Sequence, residues 1–134
     1  MIVLDASATV ELVLSTPTGQ QVAARITEPD MSLHAPHLLS VEVAHVLRRF
    51  AAAGSVTSPE AEAALEDLQG LDIHRWEHEL LLPRVWELRD NVTAYDAVYV
   101  ALAETLGAML LTTDRRLARL GSTAATIEVV GPLP

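Results

Sequence analysis

The chain has 134 residues, 50% of them hydrophobic and 4% aromatic, with 18 acids against nine bases and a net charge of −9. A mean hydropathy of +0.27 excludes a disordered chain, and the length suits one domain with a single sizeable core. Every base is arginine and there is no cysteine, which excludes lysine-dependent chemistry such as a P-loop or a Schiff base, together with disulfides, thiolate metal sites and cysteine nucleophiles.

In chain order, the apolar run 2–4 predicts a buried strand ending at Asp5. The opening MIVLDAS has no basic stretch and carries an acid inside its apolar part, so it is not expected to act as a secretory signal. A short helix follows over 8–14. Thr16 and Pro17 suit the N-cap and first position of a second helix running to about Thr27. A second strand is expected over 32–34. Leu39, Val43, Val46, Leu47 and Phe50 recur at helical spacing, predicting a helix over 40–53 closed by Gly54. Ser58, Pro59 and Glu60 open another, with Ser58 as its cap, that ends at Gly70. A third strand is expected over 71–74 and a helix over 79–90. From Thr93 a helix carries Tyr95, Val98, Tyr99, Leu102 and Leu106 on one face and stops at Gly107. A strand over 108–111 leads into Thr112, Thr113 and Asp114, then an arginine-rich short helix, and a last strand covers 127–130. The most apolar stretch, 97–111, is interrupted by Glu104 and falls short of the roughly 18 residues a membrane span needs.

Short apolar strands alternating with helices predict an α/β domain with a mainly parallel sheet covered on both faces. The functional crevice of such a sheet lies at the carboxyl ends of its strands, and two strands deliver an acid there, Asp5 and Asp114. Four acids stand in apolar or small-residue surroundings: Asp5 in IVLDASA, Glu42 in LSVEVAHVLRR, Asp96 in TAYDAVYVALA and Asp114 in LLTTDRRLARL. A carboxylate in such a place must be paired, protonated or bound to a cation. Each also has a structural explanation. Asp5 or Ser7 suits a helix cap, and Thr93 with Asp96 resembles a capping box. Glu42 can pair with Arg48 or Arg49, and Asp114 suits the positive end of its short helix. An acidic chain does not attract nucleic acid by bulk charge, so a polyanion would need local arginines, a metal ion, or both.

Taken together, four segments resemble the PIN-domain ribonucleases, and within them the VapC-type toxins of bacterial VapBC toxin–antitoxin pairs. They are Asp5-Ala6-Ser7-Ala8, Glu42-Val43 with Leu47-Arg48-Arg49, Tyr95-Asp96-Ala97 leading into Tyr99-Val100-Ala101, and Thr112-Thr113-Asp114 with Leu117. The resemblance covers essentially the whole chain and implies a single PIN domain over 1–134, with a sheet in the order 3-2-1-4-5. It implies that Asp5, Glu42, Asp96 and Asp114 form an acidic catalytic pocket, with Ser7 and Thr112 or Thr113 as hydroxyl support. Asp5, Asp96 and Asp114 are the expected ligands of Mg²⁺ or Mn²⁺, since all-oxygen sites suit hard cations. The implied activity is metal-dependent RNA cleavage leaving a 3′-hydroxyl and a 5′-phosphate, silenced by a VapB-type antitoxin, in a cytoplasmic homodimer.

Arg115, Arg116 and Arg119 follow Asp114 directly and suit either phosphate contact or a solvated helix face. His74 and His78, four residues apart, would share a helix face but do not form an HExxH zinc arrangement. Trp76 and Trp86 read as core or interface residues. The rival reading is a catalytically silent PIN-like module that uses the acidic cleft to grip a basic partner. A phosphotransfer or haloacid-dehalogenase-like hydrolase lacks support, because the chain has no DxD and no lysine.

Overall fold

Five short strands, β1 (Ile2–Leu4), β2 (Leu33–Pro36), β3 (Ile73–Trp76), β4 (Met109–Thr112) and β5 (Thr126–Val129), form one sheet in the order β3-β2-β1-β4-β5 in a computed structural model that describes residues 1–132. All four pairings are parallel, so the order expected from the resemblance holds and the sheet is wholly parallel. The helices are α1 (Ala6–Val13), α2 (Pro17–Ile26), α3 (Leu38–Ala52), α4 (Ser58–Gly70), α5 (Leu82–Glu87) and α6 (Ala94–Leu106).

Side chains along the central strands alternate between two cores, as the period of two requires. Val3 and Leu110 enter the larger core with Leu39, Val43 and Leu47 of α3, Leu68 of α4, and α6. Ile2, Leu4 and Leu111 enter the smaller one with Val22 of α2. Helix α6 is buried continuously from Ala97 to Ala103, and its small side chains at Ala97, Ala101 and Ala103 leave room for that depth. Tyr95 does not join the buried face expected of it. It sits in the first turn, before the helix enters the core, and is 63% exposed. Gly107 ends α6 with φ +62°, a left-handed cap that glycine adopts without strain.

Several boundaries differ from the periodicity reading, each for a physical reason. Strand β3 lies two residues later than expected because pairing with β2 sets its register, from Leu33 opposite Ile73 to Pro36 opposite Trp76. Pro36 is tolerated inside β2 because β1 pairs only with Leu33 and His34, so nothing on that side needs its missing N–H. The helix expected over 79–90 is broken into a 3-10 turn (Glu79–Leu81) and α5. Pro83 has no N–H to donate to the Glu79 carbonyl, so an α ladder cannot run through it. The cap of α4 is Thr57 rather than Ser58, and it forms a reciprocal capping box with Glu60. The arginine-rich segment after Asp114 is only a 3-10 turn (Leu117–Arg119).

Helices α1 and α2 approach each other most closely at Gly19, where a Cβ atom would fall 1.9 Å from the carbonyl oxygen of Glu11. Thr16 ties the same corner together, its hydroxyl accepting from the Gly19 amide at 3.0 Å.

Candidate active site

Because β1 and β4 are neighbours, with Leu4 opposite Leu111, their carboxyl ends emerge side by side. The Asp5 amide donates to the Leu111 carbonyl at 3.3 Å, which closes the gap between the two chains. Asp5 is the N-cap of α1 and also lines the cleft at these strand ends. Its Oδ1 caps α1 by accepting from the Ala8 amide at 2.9 Å, and it also accepts from the Ser7 hydroxyl at 2.6 Å. Its Oδ2 accepts from the Thr112 hydroxyl. The Thr113 amide donates to Ser7 Oγ and the Asp114 amide to Thr112 Oγ1, both at 3.0 Å. Of the two threonines, Thr112 supplies its hydroxyl to Asp5, while Thr113 contributes a backbone N–H.

The remaining acids come from the helices that pack over these strand ends. Glu42 projects from the second turn of α3 and accepts a 2.5 Å bond from the Tyr99 hydroxyl. Asp96 lies in the first turn of α6, its amide held by Thr93 Oγ1 at 3.2 Å. Thr93 is thus the helix cap, and the same geometry carries Asp96 to the cleft. All four acids line one cavity of about 340 Å³, together with Tyr99, Arg49 and Ser7.

Their electrostatics divide them. Asp5 is only 6% exposed, and burial pushes its carboxyl above the ordinary range against the lowering effect of Ser7, Thr112 and Ala8. Burial likewise raises Glu42, with the charges of Asp96 and Asp5 adding to it and the Tyr99 bond opposing. Asp96 is raised by burial and by the charge of Asp114. Asp114 moves the other way. Arg116 donates to it from its backbone N at 2.9 Å, Nε at 3.1 Å and Nη2 at 2.8 Å, and holds its carboxyl below the usual range.

Among the described residues, Asp5, Glu42 and Asp96 form no ion pair, and no three His, Asp or Glu side chains already converge closely enough to hold a metal ion. The donor set nonetheless fits a hard divalent cation. Mg²⁺ keeps several of its waters and is held through one or two carboxylates, so it does not need three converged protein ligands. The buried Asp5 and the half-buried Glu42 accept from neutral hydroxyl and amide donors, so their ionised forms carry a charge that such a cation would balance.

The structure places other expected residues elsewhere. Arg115 reaches the Pro132 carbonyl and lines neither this cavity nor its neighbour. His74 lies on β3 and His78 beyond it, so they share no helix face. His78 Nε2 instead accepts from the Leu38 amide at the start of α3, at 3.0 Å. Trp76 is half-buried and donates to His34 Nδ1 at 3.1 Å, while Trp86 is exposed beneath the Arg89 guanidinium. Tyr99, Arg49 and Glu11 also line this cleft. The sequence placed Tyr99 on the apolar face of its helix and offered Arg49 as an ion partner of Glu42, a pair absent among the described residues, and gave none of the three a site role. The one available signal was Tyr99, since a buried tyrosine hydroxyl needs a partner and stands one turn after Asp96.

A family profile described as PIN domain matches residues 2–122. A VapC ribonuclease of Mycobacterium bovis is 39% identical over 130 residues, spanning 97% of this chain and 98% of that protein. A crystal structure of a Pyrobaculum aerophilum protein superposes with a TM-score of 0.72 at 27% identity, covering 96% of this chain and 83% of that one. VapBC2 of Rickettsia felis, solved bound to a DNA fragment from the promoter, shares the fold at a TM-score of 0.71 and 13% identity, over 98% of this chain and 100% of that one.

Proposed function

The chain belongs to the PIN-domain family, among the VapC ribonucleases, and from that premise we propose that it is the endoribonuclease toxin of a type II toxin–antitoxin pair. It acts as a single domain over 1–134, hydrolyses RNA phosphodiesters with Mg²⁺ or Mn²⁺, and is neutralised in the cytoplasm by a VapB-type antitoxin. The observation that carries this reading is the convergence of Asp5, Glu42, Asp96 and Asp114 on one cleft, three of them with no cation of their own.

In this reading Asp5, Asp96 and Asp114 would hold the metal, one or two of them directly and the rest through its waters, and when bound it would supply charge neutralisation at the phosphoryl group and acidification of a water. Asp5 is oriented by Ser7, Thr112 and the α1 amide, so its oxygens need no rearrangement to bind. Glu42 is fixed by Tyr99 and raised by burial toward neutrality, which suits it to accept the proton of the attacking water. Water adds to phosphorus, the bond to the 3′ oxygen breaks, and that oxygen takes a proton, leaving a 3′-hydroxyl and a 5′-phosphate. Val41, Leu82, Trp86 and Tyr95 are exposed apolar side chains that give a second copy or the antitoxin a surface to cover.

Sequencing the RNA ends made by purified, antitoxin-free protein tests the proposal. Discrete cuts in Mg²⁺, absent in EDTA and absent from Asp96→Asn, are the expected result. Cutting that survives excess EDTA overturns the metal mechanism, and no cutting by wild type in either metal favours the silent binding module.

A further inference from the structure

Asp96 and Asp114 are a wall with two sides. Behind the acidic cleft they also line a second, larger cavity of about 460 Å³. Its other walls are built from different chemistry: the Arg116 and Arg119 side chains, the apolar Leu117 and Leu120, and the Asn91 amide. The volume is in the range that small ligands occupy, about 300–1,000 Å³.

The occupant follows from charge and shape. A chain of net charge −9 repels a polyanion, so an RNA strand reaching the acids must meet cations placed locally. Arg119 is exposed and forms no ion pair among the described residues, while Arg116 is committed to Asp114. The half-buried Leu120 offers an apolar floor beside the buried Leu117, and a base taken out of its stack packs against aromatic or apolar side chains while its edge meets polar groups. The Asn91 amide makes only a long 3.4 Å bond, to Ser122 Oγ, and keeps donor and acceptor capacity for a base edge.

We propose that this cavity holds the unpaired nucleotide next to the scissile phosphate, with its base against Leu117 and Leu120, its edge read by Asn91 and its phosphate on Arg119. The inference rests on the nuclease reading above and extends it to a substrate subsite.

The test compares wild type, Arg119→Gln, Asn91→Ala and a control, Arg48→Gln, which is exposed on α3 and lines neither cavity. Each cleaves a pool of short single-stranded RNAs in Mg²⁺ at several salt concentrations, with end sequencing. Arg119→Gln should raise KM about tenfold and reduce the salt slope by about one, with the cut sites unchanged. Asn91→Ala should instead relax the base preference at one position beside the cut, and the control should match wild type. Wild-type KM, salt slope and cut pattern in both variants, with wild type active, overturn the subsite. If wild type cuts nothing, the nuclease reading fails by itself. Binding of the same RNAs, followed by fluorescence anisotropy, then decides the subsite: binding about tenfold weaker in Arg119→Gln supports it, and equal binding overturns it.

Discussion

The two acids at neighbouring strand ends, Asp5 after β1 and Asp114 after β4, are held in opposite ways. Asp5 is buried and gripped only by hydroxyls and a backbone amide. Asp114 is partly open to water and gripped three times by Arg116, a side chain 84% exposed. Neutral donors fix the geometry of a carboxylate and leave its charge in place, whereas an arginine cancels that charge. The inner rim, with Asp5 buried and Glu42 and Asp96 half-buried, therefore has no cation paired to it among the described residues, whereas Asp114 on the outer rim is paired with Arg116. The same cleft contains a cation-seeking half and a self-sufficient half.

The largest test of that contrast removes the charge of Asp5 and keeps its cap on α1, although an amide nitrogen in place of Oδ2 donates to Thr112 where the carboxylate accepted. Asp5→Asn can still cap α1, so it should fold while RNA cleavage falls by about 10³-fold, equivalent to the several kcal/mol that metal-assisted charge stabilisation supplies. Near-normal cleavage by a folded Asp5→Asn would remove Asp5 from the machinery. Next comes Tyr99→Phe, which deletes the one side-chain donor that Glu42 has among the described residues. Losing one hydrogen bond to a charged group costs about 1.5 kcal/mol or more, so kcat should drop about tenfold with KM little changed. A loss confined to thermal stability would make Tyr99 merely a core residue.

Melting curves against pH separate the two rims by sign. The folded pKa values of Asp5, Glu42 and Asp96 are raised. Their stabilising contribution is therefore complete below the ordinary carboxylate range and is lost as pH rises through the folded values. Asp114 is depressed, so its contribution is present above its ordinary value and is lost as pH falls through the folded one. In EDTA, Asp96→Asn should melt about 2–4 °C above wild type at neutral pH, and the advantage should vanish on acidification. Mg²⁺ at ten times its dissociation constant should add about 1.4 kcal/mol to wild type and less to the variant. A destabilised Asp96→Asn that responds normally to Mg²⁺ would leave Asp96 as a helix-cap residue only. The smallest effect belongs to Arg116→Gln. An exposed ion pair is worth about 0–1 kcal/mol and a typical one about half of that, so melting should move by about 2 °C and by no more than about 4 °C, while Asp114 gains an uncancelled charge and less Mg²⁺ is needed for half the metal-induced rise.

What the sequence revealed and what it hid follow from the range of the interactions involved. Strand β1, the Thr16–Pro17 start of α2 and the Gly107 stop of α6 depend on residues next to one another, and local chemistry sufficed. Strand β3 and the break at Pro83 depend on a partner strand and on one missing donor, so periodicity misplaced their edges. The four acids were legible because each stands out in apolar surroundings and two fall at strand ends. The bond between Tyr99 and Glu42 spans 57 positions, and no local pattern announces it. Arg116 read equally well as a phosphate ligand or a solvated cation, since only the turn after β4 folds it back onto Asp114. For Asp5, capping α1 and facing the cleft are not alternatives, because Oδ1 accepts from the Ala8 amide while the same carboxylate lines the cavity.

The close seat of α2 on α1 at Gly19 gives the toxin reading a genetic signature. No side chain fits there without pushing α1 and α2 apart, and α1 is the helix that Asp5 caps. A population of mutants selected for survival under forced expression should therefore yield substitutions at position 19 beside those at the acids. They would mark a residue outside the cleft whose lack of a side chain keeps the lethal geometry in register.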